Sequence, residues 1–220
     1  MERIIAIGDI HGCCKTFERL LFDSLKIQKS DQVYCIGDYI DRGKDSKGVI
    51  DLILQLREAT YNIFTLRGNH EQMLLDCLID EAALGIWIRN GGAETIRSFG
   101  IGSIENLSKK YWSFFKDTKL FFDTEKYIFV HAGLNFYRPD IFEDKEAMLW
   151  IRDFSAQQPS LGNKILIHGH TPKSLKFILK QKGNCINIDG GCVYNHLSSL
   201  GKLVALDLTN QRFIWEENCD

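Results

Sequence analysis

Ile4-Ile5-Ala6-Ile7-Gly8-Asp9-Ile10-His11-Gly12 is a short apolar run that stops on a glycine and delivers a carboxylate and an imidazole one residue apart. Four consecutive apolar residues suit a strand covered on both faces. Along an extended chain Asp9 and His11 point to the same side, and Gly8 and Gly12 permit a tight exit. Alone, an Asp-x-His pair says little, but the same pattern returns four times. Gly37-Asp38-Tyr39-Ile40-Asp41-Arg42-Gly43 follows the apolar run 33–36, and Arg67-Gly68-Asn69-His70-Glu71 follows 63–66. Val130-His131-Ala132-Gly133 closes the run from Tyr127, and His168-Gly169-His170-Thr171-Pro172 closes the run from Ile165. Strand ends do not need Asp, Asn or His beside Gly in order to fold. In open α/β sheets, functional groups collect outside the carboxyl ends of strands.

Between these runs the hydrophobic period changes. Phe17, Leu20, Leu21 and Leu25 recur at helical spacing, as do Val49, Ile50, Ile53, Leu54 and Leu56, then Met73, Leu74, Cys77 and Leu78. Alternating strand and helix predicts an α/β architecture with parallel strands and right-handed crossovers. From Gly85 to Phe122 the pattern reads as helical and aromatic-rich, with Asn90-Gly91-Gly92 as a turn between two helical pieces. Its rings, among them Trp87, Phe99, Trp112, Phe114, Phe115, Phe121 and Phe122, serve either as core or as the edge of a cap beside a cleft. Strands are expected again at 127–130, 165–167, 185–188 and 203–206. No repeat or polar linker divides the chain, so a single domain over 1–220 is expected, with a helical cap-like segment at about 85–122.

Composition excludes several classes. The chain has 220 residues, 45% apolar and 25% charged, which is ordinary for a globular domain able to bury a core. A formal net charge of -2 lacks the cationic surplus that holds nucleic acid non-specifically, so no stable nucleic-acid binding is expected. No apolar run reaches membrane-spanning length. Removal of an N-terminal signal would take Asp9 and His11 with it, so a cytoplasmic location is expected. Seven scattered cysteines, an odd count without zinc-type spacing, read as reduced thiols. Cys13 and Cys14, next to the first motif, read as small packing residues.

The five motifs together offer a ligand set. Asp38 has two carboxylate oxygens and can bridge two cations, Asn69 offers a neutral carbonyl, and His131 and His170 offer nitrogen. Mixed oxygen and nitrogen donors without thiolate suit manganese, iron or zinc better than calcium.

In order and spacing, the motifs from Asp9 to about Asp189 resemble the metal-dependent phosphoprotein phosphatases, in particular their short bacterial and phage members. The resemblance implies the calcineurin-like metallophosphoesterase fold, a central β-sandwich of mixed sheets flanked by helices, with the active site at strand C-terminal ends. It implies two divalent cations, manganese foremost, with iron or zinc as alternatives. Asp9, His11 and Asp38 would hold the first, and Asp38, Asn69, His131 and His170 the second. It further implies His70 and Asp41 as the acid pair, and Arg42 and Arg152 as the phosphate-binding arginines. The expected reaction is in-line attack on phosphorus by a hydroxide held between cations roughly 3.5–4 Å apart. His70 would protonate the leaving alkoxide, a step contributing about 10²–10⁴-fold.

Other polar residues near the motifs read differently. Glu71 reads as structural support, and Arg67 as either a scaffold or a surface arginine. His168 shares a face with His170 but is not the expected ligand, and His196 reads as a surface residue. Late in the chain, where the family often carries Asp-Thr-Gly, the sequence is Ile188-Asp189-Gly190-Gly191-Cys192-Val193-Tyr194, so the loop around Tyr194 departs from the pattern.

The leading expectation is therefore a serine/threonine protein phosphatase acting on phosphorylated protein or peptide. The alternative is a symmetrical bis(5'-nucleosyl)-tetraphosphatase acting on a dinucleoside polyphosphate such as diadenosine tetraphosphate. Thr171-Pro172 after the last Gly-His favours the former, since the tetraphosphatases tend to carry Trp there. A phosphodiesterase fits less well, because many of those read Asn-His-Asp where this chain has Asn69-His70-Glu71. A non-catalytic phosphopeptide binder would lack a catalytic residue, and none is missing.

Overall fold

The computed structural model describes residues 2–153 and 161–220, and each of the five motifs lies at or just past the end of a strand. In chain order the first half contains β1 (Ile4–Ile7), α1 (Cys14–Arg19), β2 (Gln32–Cys35), α2 (Ser46–Glu58), β3 (Asn62–Thr65), α3 (Asn69–Asp76), α4 (Glu81–Trp87), α5 (Ala93–Phe99) and α6 (Lys109–Asp117). The second half contains β4 (Phe121–Asp123), β5 (Tyr127–Val130), α7 (Lys145–Trp150), β6 (Ile165–His168), α8 (Leu175–Ile178), β7 (Cys185–Asn187), β8 (Lys202–Asp207) and β9 (Arg212–Glu217).

Two mixed sheets result, as the resemblance implies. The first runs β3-β2-β1-β8-β9 and the second β4-β5-β6-β7. β1, β2 and β3 are parallel, with Ile4 opposite Gln32 and Gln32 opposite Asn62, while β8 runs antiparallel to β1. β5, β6 and β7 are likewise parallel, with β4 antiparallel at the edge. Parallel pairing brings three strand exits to one edge of each sheet. The motif residues therefore converge because of topology, from distant parts of the chain.

The strands are apolar throughout because both faces are covered. Ala6, Tyr34, Ile36 and Leu66 face Phe129, Ile167 and Ile188 between the sheets, where the Tyr34 and Phe129 rings stack at 4.1 Å. On the alternate positions Ile5, Ile7, Val33 and Cys35 meet Phe17, Leu20, Val49, Ile50 and Ile53 of the helical layer. Ile128, Val130 and Leu166 cover the outer side of the second sheet together with Met148 of α7.

Two strands escape the sequence reading. Phe121–Asp123 belongs to β4, although the pattern to Phe122 reads as helical. It pairs Phe121 with Val130, and Phe122 enters the inter-sheet core beside Tyr34 at 5.4 Å. So short a run has no period of its own, and tertiary pairing decides its state. β9 is half exposed and alternates weakly, and its pairing with β8 fixes it. The helical turn at Asn90-Gly91-Gly92 is present, with Gly91 at φ 109° breaking the helix between α4 and α5. Trp87, Tyr111, Phe114 and Phe115 are buried in the main core. Among the described residues, no helix is long and apolar enough to cross a membrane. The seven cysteines are free thiols.

Candidate active site

Asp9 and His11 leave β1, Asp38 leaves β2, and Asn69 and His70 open α3 directly after β3. His131 follows β5, His170 follows β6, and Asp189 follows β7. One pocket is lined by Asp9, His11, Asp38, Arg42, Asn69, His70, Arg152, His170, Pro172, Asp189 and Tyr194, with a volume of about 70 Å³. The exits are sharp. Of eight non-glycine residues with positive φ among the described residues, five are His11 (46°), Asp38 (51°), Asp41 (72°), Arg42 (69°) and His170 (65°). L-residues adopt this region at a cost, and such strain concentrates at functional sites. Gly68 and Gly169 are needed for close approach, since a Cβ on them would lie 2.1 Å from Asp38 Oδ1 and 2.2 Å from Asp9 Oδ1.

Asp38 occupies the centre. Its Oδ2 lies 3.3 Å from His11 Nε2 and its Oδ1 lies 3.5 Å from His131 Nε2, so its two oxygens face two different clusters. Two groups of donors converge on it: His11, Asp38 and His70 in one, Asp38, His131 and His170 in the other. Asn69 joins the second through Oδ1, 3.0 Å from both His131 Nε2 and His170 Nδ1. Asp9 lines the same pocket but stands outside both close groups, with its Oδ2 accepting from the His170 amide at 3.1 Å.

The protonation pattern decides what this arrangement can hold. Burial pushes the imidazoles of His11 and His131 down, and that of His170 down to about 3, so they are neutral. His131 Nδ1 donates to the Ile36 carbonyl at 2.9 Å, which leaves only a lone pair on Nε2. That lone pair faces the lone pairs of Asn69 Oδ1 at 3.0 Å. His11 Nδ1 donates to the Ile40 carbonyl at 2.9 Å and turns the Nε2 lone pair inward, where it faces Asp38 Oδ2 at 3.3 Å as well as the Arg42 guanidinium. Acceptor facing acceptor is unfavourable unless a cation lies between them, and a divalent cation with mixed N/O ligands fits.

The carboxylates agree. Burial, Asp189 and Asp38 hold Asp9 well above the usual range, and burial with Asp38 raises Asp189 to about 7. For Asp38, burial is outweighed by the surrounding imidazoles in their protonated forms and by Arg42, which hold it well below the usual range. Three buried carboxylates in one pocket call for positive charge.

His70 is fully buried with Asp41. Its Nδ1 donates to Asp41 Oδ2 at 2.6 Å, so Nε2 is the ring nitrogen available to the pocket. Arg42 approaches His11 Nε2 through Nη1 at 2.6 Å, and its guanidinium lies 5.7 Å from the Tyr194 ring centroid. Arg152 lines the rim, exposed. All ten expected site residues thus gather around one point, His131 and Asp41 lying directly behind the pocket lining.

Residues without an assigned catalytic role also find places. Glu71 accepts the amides of Asp38, Tyr39 and Gly68, each at 2.9 Å, and so ties the β2 exit to the β3 exit. Arg67 is a scaffold arginine, bonded to Thr118 Oγ1, Gln72 and the Lys116 carbonyl. His168 is buried outside the main pocket, and His196 is exposed. Asp189 is a charged pocket residue that sequence reasoning left without a role, as it did Pro172 and Tyr194. Its position after a strand, like that of Asp9, is the signal that could have found it.

A family model for calcineurin-like phosphoesterases matches residues 2–210. The chain belongs to this family. As a metallophosphoesterase it is a hydrolase, and its relatives divide over the substrate. It is 40% identical over 91 residues to serine/threonine-protein phosphatase 1 of Salmonella typhimurium, which covers 41% of this chain and 39% of that enzyme. It is 25% identical to an asymmetrical bis(5'-nucleosyl)-tetraphosphatase of Oceanobacillus iheyensis, over 96% of this chain and 91% of the relative. A symmetrical tetraphosphatase of Wigglesworthia glossinidia brevipalpis is 46% identical over 70 residues, 31% of this chain and 24% of that enzyme. The metallophosphoesterase therefore spans less than half the length of two of these three relatives. Among solved structures, one described as a putative diadenosine tetraphosphatase superposes with a TM-score of 0.67 at 19% identity, covering 99% of this chain and 94% of that one. A cold-active protein-tyrosine phosphatase of Shewanella superposes at 0.66 with 17% identity, covering 99% and 78%. At these identities the structures speak for the fold.

Proposed function

We propose that this metallophosphoesterase is a phosphomonoesterase that removes the phosphoryl group from phosphoserine and phosphothreonine in proteins. The carrying observation is a buried His70–Asp41 pair beside two arginines in a pocket of about 70 Å³. Asp9, His11 and Asp38 would hold one divalent cation, and Asp38, Asn69, His131 and His170 the other, with manganese first among the candidates. Such cations supply polarisation of the phosphoryl oxygens and a water acidified toward neutrality.

The chain's own groups then have separable tasks. Arg42 and Arg152 bind phosphoryl oxygens, and a guanidinium can do so through two parallel N–H bonds. His70 presents Nε2 to the leaving oxygen and releases its proton there, while Nδ1–H stays on Asp41. A serine or threonine alkoxide is a poor leaving group and benefits strongly from this proton. A phosphoanhydride leaves as a stabilised anion and needs it far less. The acid pair therefore favours the monoester over the dinucleoside polyphosphate. The arginines, together with the cations these residues would hold, would supply the larger share of transition-state stabilisation.

A second reading is supported by the near full-length similarity to an asymmetrical tetraphosphatase. One experiment separates the two. With manganese present, kcat/KM is measured for a phosphoserine peptide, diadenosine tetraphosphate and a bis-aryl phosphodiester. We expect the phosphopeptide to exceed the dinucleotide by at least about 10-fold, a difference of one factor of ten in transition-state binding. The reverse order would transfer the assignment to the tetraphosphatase reading.

A further inference from the structure

Asp41 lies behind the pocket, and the segment around the α4–α5 break grips it. Thr95 Oγ1 donates to Asp41 Oδ1 at 2.6 Å. Trp87 Nε1 donates across both oxygens, at 2.8 Å to Oδ2 and 3.1 Å to Oδ1. With His70 on Oδ2, the carboxylate receives three donors from three separate elements. The Thr95 hydroxyl also accepts the Asp41 amide at 2.9 Å and faces Ser46 Oγ at 3.2 Å, so its donor and both acceptor sites are used. All five side chains are buried.

The break between the helices makes this grip possible. Gly92 lets the Trp87 ring approach, since a Cβ there would lie 2.4 Å from the indole. The Gly91 carbonyl accepts the Arg42 amide at 3.2 Å. The segment 87–95 thus reaches Asp41 through Trp87 and Thr95, and the backbone of a phosphate arginine through Gly91. A buried indole N–H needs an acceptor, and a backbone carbonyl would suffice for folding alone. Here the acceptor is a carboxylate whose remaining bond aims a histidine into the pocket.

We propose that Trp87 and Thr95 are positioning residues. They fix the Asp41 carboxylate in the one orientation that holds His70 Nε2 at the leaving oxygen. This inference rests on the reading of His70 as the proton donor. Neither residue touches substrate, so loss of either should weaken proton delivery and leave phosphate and cation binding intact.

The test uses leaving-group dependence. Trp87→Phe removes the N–H and keeps most of the ring, Thr95→Val removes the hydroxyl, and Thr95→Ser keeps it. Each variant is assayed with manganese on p-nitrophenyl phosphate, whose leaving group needs little acid help, and on a phosphoserine peptide, whose leaving group needs much. Metal content and thermal unfolding are measured alongside. For Trp87→Phe and Thr95→Val we expect kcat on the peptide to fall about 10–100-fold, the size of one hydrogen bond to a charged group. On the aryl ester kcat should fall less than about threefold, with KM and bound manganese unchanged and Thr95→Ser close to the parent. Equal losses on both substrates, or no rescue by serine, would overturn the proposal. If Trp87→Phe does not fold, the valine–serine pair at 95 decides alone. His70→Asn in the same assay separates the two layers. If it shows no leaving-group dependence, the acid reading itself fails and takes the clasp with it. If it shows the dependence and the clasp variants do not, only the clasp is lost.

Discussion

Asp38→Asn is expected to lower kcat by more than about 10³-fold, beyond the usual cost of one preorganised electrostatic contact. The reason is its central place. One oxygen faces His11 and the other faces His131, so a single substitution weakens both donor groups. Asparagine keeps the shape and offers one oxygen where two are needed, and it turns an N–H₂ toward one cluster. Bound manganese should fall from two per chain to one or none, read by atomic emission after dialysis. Asn69→Ala, which touches only the second group, should leave one ion in place. Dialysis of the parent protein against a strong chelator should abolish turnover, and added manganese should restore it. An Asp38→Asn protein that kept two ions and activity within tenfold of the parent would refute the shared-carboxylate arrangement.

Glu71→Ala is expected to have the largest effect on stability. The Glu71 carboxylate is fully buried and accepts the Asp38, Tyr39 and Gly68 amides, with the Ile40 amide at 3.4 Å. Burial and the charge of Asp38 push its carboxyl up to about 8, against the pull of these amides. Alanine would strand several buried N–H groups, each costing about 1–3 kcal/mol. Water entering the hole offsets part of this, so we expect a loss of about 3–5 kcal/mol. For a domain of this size that corresponds to a Tm lower by about 6–20 °C. The Asp38 and Asn69 exits would lose their common anchor, and manganese affinity should drop in parallel. A thermal melt within about 2 °C of the parent would show that Glu71 does not carry the anchoring.

The comparison with the sequence follows from distance along the chain. Asp9, His11, Asp38, Asn69, His131 and His170 were legible because each stands at the end of an apolar run, beside a glycine or, for His131, two residues before one. Such a pattern is local. Arg42 and Arg152 were legible only through resemblance, since nothing local marks an arginine for phosphate. Trp87 was read as core or as the border of a cleft; its ring is in the core, and its N–H reaches Asp41 behind the pocket. Its partner lies 46 residues away, and that of Thr95 lies 54 away. No spacing rule spans such separations, so the grip on Asp41 needed coordinates. β4 was missed for the opposite reason. Three residues carry too little pattern, and the pairing of Phe121 with Val130 decides their state.

The two parallel strand triplets have a consequence beyond the chemistry. Asp9, His11, Asp38 and Asn69 stand at the edge of one sheet, and His131 and His170 at the edge of another that shares no strand with it. The second donor group therefore straddles the seam between two independently paired sheets. Any cation held there acts as a rivet across that seam. By mass action its binding adds to the docking of the sheets, about 2.7 kcal/mol when the free ion stands at a hundred times its dissociation constant. Loading of the site and mechanical closure of the sandwich would then be one equilibrium, and withholding the metal would loosen the fold as it emptied the site.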